Sequence, residues 1–212
     1  MIVAIDGPAG AGKSTVARAL ANSLGLPFLD TGAMYRGITW KVLSEGLAIT
    51  DEDACADLAM STELSFGPEG LWVEGVLRED EIRSAEVDLA VSVVSAHSGV
   101  RGAIVPLQRA MAAEAGGAVA EGRDVTTVVF PEADHRFFLS ASAEERARRR
   151  TLQRGSEEDF EEILAAIKRR DHLDSTRADS PLLRGEGVSV VETGSLEANE
   201  VVELMLSIVR KA

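Results

Sequence analysis

Cysteine is nearly absent from this chain, with Cys55 the one thiol among 212 residues. An internal disulfide is therefore excluded, and a reducing compartment fits. Cys55 sits among Asp and Ala in a segment that reads as helix, which argues against a reactive role. Histidine is also scarce: His97, His135 and His172 stand far apart without ligand-type spacing, so no structural zinc site is indicated and surface or capping roles suit all three. No apolar run approaches a membrane span, and the chain opens directly on an apolar strand with no room for a signal peptide. The expectation is a soluble, cytoplasmic protein. Positive charge is short as well, 22 Lys and Arg against 35 Asp and Glu, for a formal net charge of -13. Such a chain repels nucleic acid and anionic lipid, so neither is expected as a partner, and any polyanion-binding surface must be local. Among the basic residues arginine outnumbers lysine 18 to 4. A guanidinium fork suits phosphate and carboxylate, although Arg-rich codon usage gives the same ratio.

What the chain does have begins at residue 2. The apolar run Ile2-Val3-Ala4-Ile5 ends at Asp6 and is followed by Gly7-Pro8-Ala9-Gly10-Ala11-Gly12-Lys13-Ser14-Thr15, which matches G-x-x-x-x-G-K-[ST]. Glycines let the backbone curl until successive N–H groups face phosphate oxygens, and the helix that follows turns its positive end to the same anion. In such a loop Lys13 reaches the outer phosphates of ATP and the Ser14 hydroxyl holds Mg²⁺. Context supports more than a chance Gly/Ala-rich turn. Val16, Ala17, Leu20 and Leu24 recur at helical spacing behind the loop, giving the strand, loop and helix this motif requires.

Further along, Leu26 to Asp30 is a second short strand, and Thr31 is placed to cap a helix carrying Tyr35 and Arg36. Thr50 with Asp53 resembles a capping box for the next helix. From Leu64 the period becomes two, with turns at Gly67 to Gly70 and Glu74-Gly75, which predicts a small antiparallel meander inserted over the site. Two helices follow, one with Val87, Val91 and Val94 on a face and one with Val100, Ile104, Leu107 and Met111, where Pro106 predicts a kink or early break. Ala118-Val119-Ala120 reads as a buried parallel strand leading into Glu121-Gly122-Arg123-Asp124. In an open α/β sheet these residues, and Asp6, fall at the ligand edge. Another strand, Arg136 to Leu139, precedes the charged run Glu144 to Arg150, for which a solvated helix face is an equal alternative, and Gly155 allows a hinge. Phe160, Ile163, Leu164 and Ile167 then form an inward stripe whose phase continues through Arg170, Asp174 and Arg177. Those charges point into a cleft or form an internal ion-pair ladder. Val188 to Val191 gives a last strand, and Val202, Met205, Ile208 and Val209 the face of a final helix.

Alternating strands and helices predict an α/β protein, a mainly parallel sheet between helical layers, with a small antiparallel insert and a helical lid. No N-K-x-D occurs, which sets aside a guanine-reading switch. Together with the loop at Gly7 to Thr15, the segments Asp30 to Arg36, Glu81-Ile82-Arg83, Gln108-Arg109, Gly122 to Asp124 with Val128 to Pro131, Glu144-Glu145-Arg146, and Arg170-Asp171-x-x-Asp174-x-x-Arg177 resemble the bacterial cytidylate kinases, members of the nucleoside monophosphate kinase family. The resemblance implies a monomeric, single-domain enzyme over 1–212 that transfers a phosphoryl group from ATP, with Mg²⁺, to CMP or dCMP. It further implies a monophosphate-binding insert over 31–98, with its meander at about 64–78, and a lid over 143–156. By the same resemblance Thr31, Tyr35, Arg36 and Arg123 surround the monophosphate, Ser92, Arg101 and Asp124 meet the base, and Arg109 joins them as a substrate contact. Arg170 and Asp174 address the sugar, and Lys13, Arg123, Arg146 and Arg177 the transferring group. Glu121, where the family pattern has Asp, contacts Mg²⁺ through water. UMP, AMP or shikimate as acceptor, or an ATP-holding switch without transfer, are the alternatives.

Overall fold

The computed structural model describes residues 1–154 and 160–211. The chain divides into two compact units, one of residues 1–29 and 112–212, the other of residues 30–111.

The first unit is built on β1 (Ile2–Asp6), followed by α1 (Lys13–Leu24) and β2 (Phe28–Asp30), whose last residue opens the second unit. After the second unit come β6 (Ala118–Gly122), a π-type turn (Val125–Val129), β7 (His135–Ser140), α6 (Ala143–Arg154), α7 (Phe160–Thr176), β8 (Ser189–Glu192) and α8 (Ala198–Val209). The strand order is β2-β6-β1-β7-β8. β1 pairs in parallel with β6 and with β7, and β7 with β8. Parallel strands are covered on both faces, so β1 and β6 read as apolar runs up to Asp6 and Glu121 near their ends. Val3, Ile5, Val119, Phe137 and Leu139 form one core with Val16 and Leu20 of α1 and Val202 and Met205 of α8. Each such side chain contributes about 1.5–3 kcal/mol on burial. Helix α1 stops at Gly25, whose left-handed φ of 66° lets the Gly25 and Leu26 N–H groups close on Asn22 and Ala21 carbonyls. The apolar stripe predicted for α7 is present, with Ile163, Leu164 and Ile167 buried against Ala147 of α6.

The second unit holds α2 (Thr31–Ser44), α3 (Glu52–Ser61), β3 (Leu64–Gly67), β4 (Gly70–Val73), β5 (Val76–Leu77), a 3₁₀ turn (Glu81–Arg83), α4 (Ala85–Val94) and α5 (Ser98–Glu114). The predicted meander is there as a three-stranded antiparallel sheet. Positive φ at both Glu74 and Gly75 marks the β4–β5 turn as the tight hairpin type that matches strand twist.

Four expectations need correction. Asp30, not Thr31, caps α2: its Oδ1 accepts from the Ala33 N–H at 2.9 Å, and Thr31 is the first helical residue. A carboxylate one residue earlier outcompetes a hydroxyl because it also meets the helix dipole. For the same reason Asp51, accepting from Ala54 N–H, caps α3 in place of the Thr50 and Asp53 pair. Pro106 does not break α5, which runs on to Glu114. Pro106 and Gly102, the residue whose carbonyl loses its helical donor, both lie on the exposed face, so the missing bond falls where solvent can reach rather than in the core. The chain instead bends by 100° between α4 and α5. Finally, Val100 and Ile104 of the predicted α5 face are fully buried, but the buried stripe also takes in Arg101, Gln108 and Ala112, with Leu107 and Met111 only partly covered.

Candidate active site

Three left-handed glycines shape the loop between β1 and α1. Gly10 and Gly12 have φ of 78° and 85°, and a Cβ at Gly7 would strike the Leu139 carbonyl. The fold therefore needs glycine at the loop's bends and where β7 approaches. Helix α1 starts without a side-chain cap, so its first N–H groups face the loop. Lys13 is buried under this loop, with Nζ donating to the Pro8 carbonyl at 3.1 Å and lying 3.9 Å from Glu121 Oε2. Burial first, then the charge of Arg123, lowers its pKa to about 7 against the pull of Glu121 and Asp6. Ser14 Oγ donates to Glu121 Oε1 at 2.5 Å. A hydroxyl and a carboxylate meeting beside a phosphate loop form a hard oxygen donor set, the kind Mg²⁺ takes.

The end of β6 supplies the rest of this unit's site. Arg123 donates from Nε to Asp174 at 2.8 Å and from Nη1 to the Gly7 carbonyl at 3.0 Å. Its charge persists: burial works against it, and the carboxylates of Asp174, Glu121 and Asp171 together more than compensate. Asp124 is buried, and Arg177 Nη2 of the segment after α7 stands 3.5 Å from its Oδ1. Arg146 of α6 donates to the Ala9 carbonyl at 3.0 Å and holds Asp171 with both terminal nitrogens, at 3.1 and 2.6 Å. The charges of α7, and Arg177 just after it, thus meet partners in the residues that follow β6 and on α6. Arg170 is half-buried on the same helix. Asp6, expected at the ligand edge, is fully buried. Both its oxygens are engaged by the turn after Asp124.

In the second unit, the Arg101 guanidinium lies 5.3 Å from the centre of the buried Tyr35 ring and donates to the Ser95 carbonyl at 3.1 Å. Arg36 donates to the Ile82 carbonyl at 3.1 Å and to Asp88 Oδ1 at 2.5 Å. Arg83 Nη2 reaches Asp30 Oδ2 at 3.3 Å. Thr31 is buried at the start of α2, Ser92 is half-buried on α4, and Arg109 is exposed on α5.

The model of the Cytidylate kinase family matches residues 3–211. The chain belongs to the cytidylate kinase family. It is 47% identical to a cytidylate kinase of Caldanaerobacter subterraneus subsp. tengcongensis over 99% of this chain and 94% of that one. It is 45% identical to a cytidylate kinase of Mycobacterium leprae over 100% and 96%. A bifunctional pantoate ligase/cytidylate kinase of Synechocystis matches at 44% identity, over 99% of this chain and 43% of that protein. Among solved structures, a Thermus thermophilus protein shares the fold at a TM-score of 0.53 and 24% identity, covering 100% of this chain and 96% of that one.

Within this family member, the expected site residues Gly7 to Thr15, Glu121, Arg123, Asp124, Arg146, Arg170, Asp174 and Arg177 lie in the first unit, and Thr31, Tyr35, Arg36, Ser92, Arg101 and Arg109 lie in the second, so the residues expected to meet the acceptor come from both. Sequence reasoning did not name Asp88, and it quoted Asp30, Gln108 and Asp171 within motif segments without giving them a role; Gln108 is fully buried, and its Nε2 donates to the Thr31 carbonyl at 3.4 Å. The stripe phase of α7 passes beside Asp171 and was a usable signal for it. A lone Asp or Gln on a helix carries none. Of the predicted lid, 143–154 is helix α6, while 155 and 156, with the hinge expected at Gly155, lie outside the described residues. Among the described residues no single helix is long and apolar enough to cross a membrane, and no cluster of His, Cys, Asp and Glu has metal-binding form.

Proposed function

We propose that this kinase transfers the γ-phosphoryl group of ATP to CMP or dCMP, giving ADP and CDP or dCDP, by in-line displacement without a covalent enzyme intermediate. The observation that carries this reading is the buried Asp124 carboxylate at the end of β6, in the unit that also holds the phosphate loop. Cytosine offers an exocyclic amine to such an acceptor. Uracil presents a carbonyl there, and two facing acceptors cost on the order of 1–3 kcal/mol. Arg101 and Ser92 donate to the cytosine O2 and N3.

In this mechanism the loop N–H groups and Lys13 hold the β- and γ-phosphates, and binding the anion restores the full positive charge of Lys13. Ser14 and, through water, Glu121 hold Mg²⁺, which spreads the charge of the donor phosphates. Thr31, Tyr35, Arg36 and Arg123 hold the acceptor phosphate, with Arg109 as a further contact. Arg170 and Asp174 hold the sugar. Arg177 and the lid arginine Arg146 meet charge as it develops on the moving group. Positioning and fixed charge supply the rate, since phosphoryl transfer asks little covalent chemistry of the protein. The enzyme works as a soluble, cytoplasmic monomer, with 31–98 as the monophosphate-binding insert and 143–156 as the lid that excludes water.

The test is ATP turnover with and without CMP. Strong stimulation of ADP formation by CMP supports transfer; equal turnover in both conditions supports a nucleotide-holding switch or a hydrolase instead.

A further inference from the structure

Asp6 is the one fully buried acid of β1, and its environment is unusual for a carboxylate. Oδ1 accepts from the Val125 N–H at 2.8 Å, and Oδ2 accepts from the Thr126 N–H and the Thr126 hydroxyl, both at 2.7 Å. All three donors belong to the two residues that follow Asp124. On the other side of the same junction, Arg123 donates back to the Gly7 carbonyl, the residue after Asp6. Asp6 at the end of β1 and Gly7 at the start of the phosphate loop thus grip the four-residue stretch 123–126 from both ends.

That stretch needs holding. Asp124 sits at φ -138° and ψ 20°, outside strand and helix geometry, and its carbonyl accepts from the N–H groups of Thr127, Val128 and Val129 at 3.3, 2.8 and 3.2 Å. The wide turn therefore hangs on Asp124 from one side and on Asp6 from the other. Burying an ionised or even a protonated carboxyl is costly, and a turn alone could be stabilised by neutral groups. A carboxylate with three charge-assisted bonds fixes position more tightly than a neutral acceptor does.

We infer that Asp6 is a positioning residue for nucleobase discrimination: by clamping Val125 and Thr126 it sets the place of the Asp124 carboxylate relative to the phosphate loop that Asp6 itself leads into. The inference rests on the reading that Asp124 meets the cytosine amine. A hydrogen-bonding site displaced by a fraction of an ångström loses its preference between an amine and a carbonyl before it loses the ability to bind a nucleotide.

The experiment compares Asp6→Asn, Thr126→Val, Thr126→Ser and Asp124→Asn by steady-state kinetics with CMP, UMP and ATP, and by thermal unfolding. Asparagine turns one acceptor into a donor facing the Val125 or Thr126 N–H, while Thr126→Val removes one bond without changing the side chain's shape. The expected result is a CMP-over-UMP preference reduced about tenfold in Asp6→Asn, with KM for CMP raised and KM for ATP within about threefold of the parent. Thr126→Val shifts the preference in the same direction by less and carries the test if Asp6→Asn does not fold. Thr126→Ser, which keeps the hydroxyl, restores it. Parallel losses for CMP and UMP, or a rise in KM for ATP equal to that for CMP, overturn the assignment. A preference lost in Asp124→Asn but kept in Asp6→Asn and Thr126→Val overturns the role of Asp6 alone; a preference kept in Asp124→Asn overturns the reading of Asp124 and the inference with it.

Discussion

Replacing Arg177 with Met, Asp124 with Asn, and both together probes the ion pair at the end of β6. The charges are 3.5 Å apart on side chains 7% and 5% exposed. At an effective dielectric constant of about 20 that separation gives an attraction on the order of 5 kcal/mol, most of which repays desolvation. Removing only Arg177 leaves the Asp124 carboxylate buried near a second acid, Asp6, and also deletes the Arg177 Nε bond to the Ser180 carbonyl at 2.7 Å. We expect a loss of about 3 kcal/mol for Arg177→Met, equivalent to roughly 6–12 °C in Tm for a chain of this size. Asp124→Asn removes a buried charge along with its partner's attraction, so its cost is about 1 kcal/mol. In the double variant the stranded-carboxylate penalty disappears, and the total falls below the sum of the singles by about 1–3 kcal/mol. Urea unfolding with a shared m-value measures all three, at low salt and again at about 0.5 M, where a buried pair keeps its coupling. Additivity within about 0.5 kcal/mol would refute the claim that these two groups act as a pair.

Asp6 also predicts a pH effect. Burial, with a smaller push from Asp124, raises its pKa from 3.8 to about 6 despite the bonds from Thr126 and Val125. The native state thus keeps a proton that the unfolded chain has released, and this group's contribution to stability falls as pH rises from about 4 to 6. The stability difference between parent and Asp6→Asn should move against the parent by about 2 kcal/mol between pH 4.5 and 7; no pH dependence in that difference would contradict the shift. In the second unit, a Cβ at Gly99 of α5 would lie 2.5 Å from the Ala56 Cβ of α3, an atom fixed to its backbone. Gly99→Ala should cost about 1–3 kcal/mol by denaturant unfolding, and Ala56→Gly in the same chain should restore it.

Local signals carried much of the fold. The glycines at 7, 10 and 12 and the stripe through Ile163 and Ile167 lie within a few residues of what they organise, and both are where they were expected. Helix starts were less legible, since Asp30 and Thr31 are both competent caps and the carboxylate wins through electrostatics that a spacing rule does not weigh. The second half of the α5 face was misplaced, at Leu107 and Met111, because Arg101 and Gln108 are buried polar residues, invisible to an apolar period. Ion-pair partners were the least legible. Arg146 meets Asp171 25 residues away, and Arg36 meets Asp88 52 residues away. The phase of α7 points toward Asp171, but which residue each charge pairs with is set by packing and leaves no mark in the local pattern.

The central claim is that the acceptor is a cytidine monophosphate. A coupled assay of ADP formation from Mg²⁺-ATP with CMP, dCMP, UMP, AMP and GMP at equal concentration tests it most directly. The account predicts rapid turnover with CMP and dCMP, UMP weaker by about tenfold or more, and little with either purine. Comparable rates with UMP or AMP would contradict it.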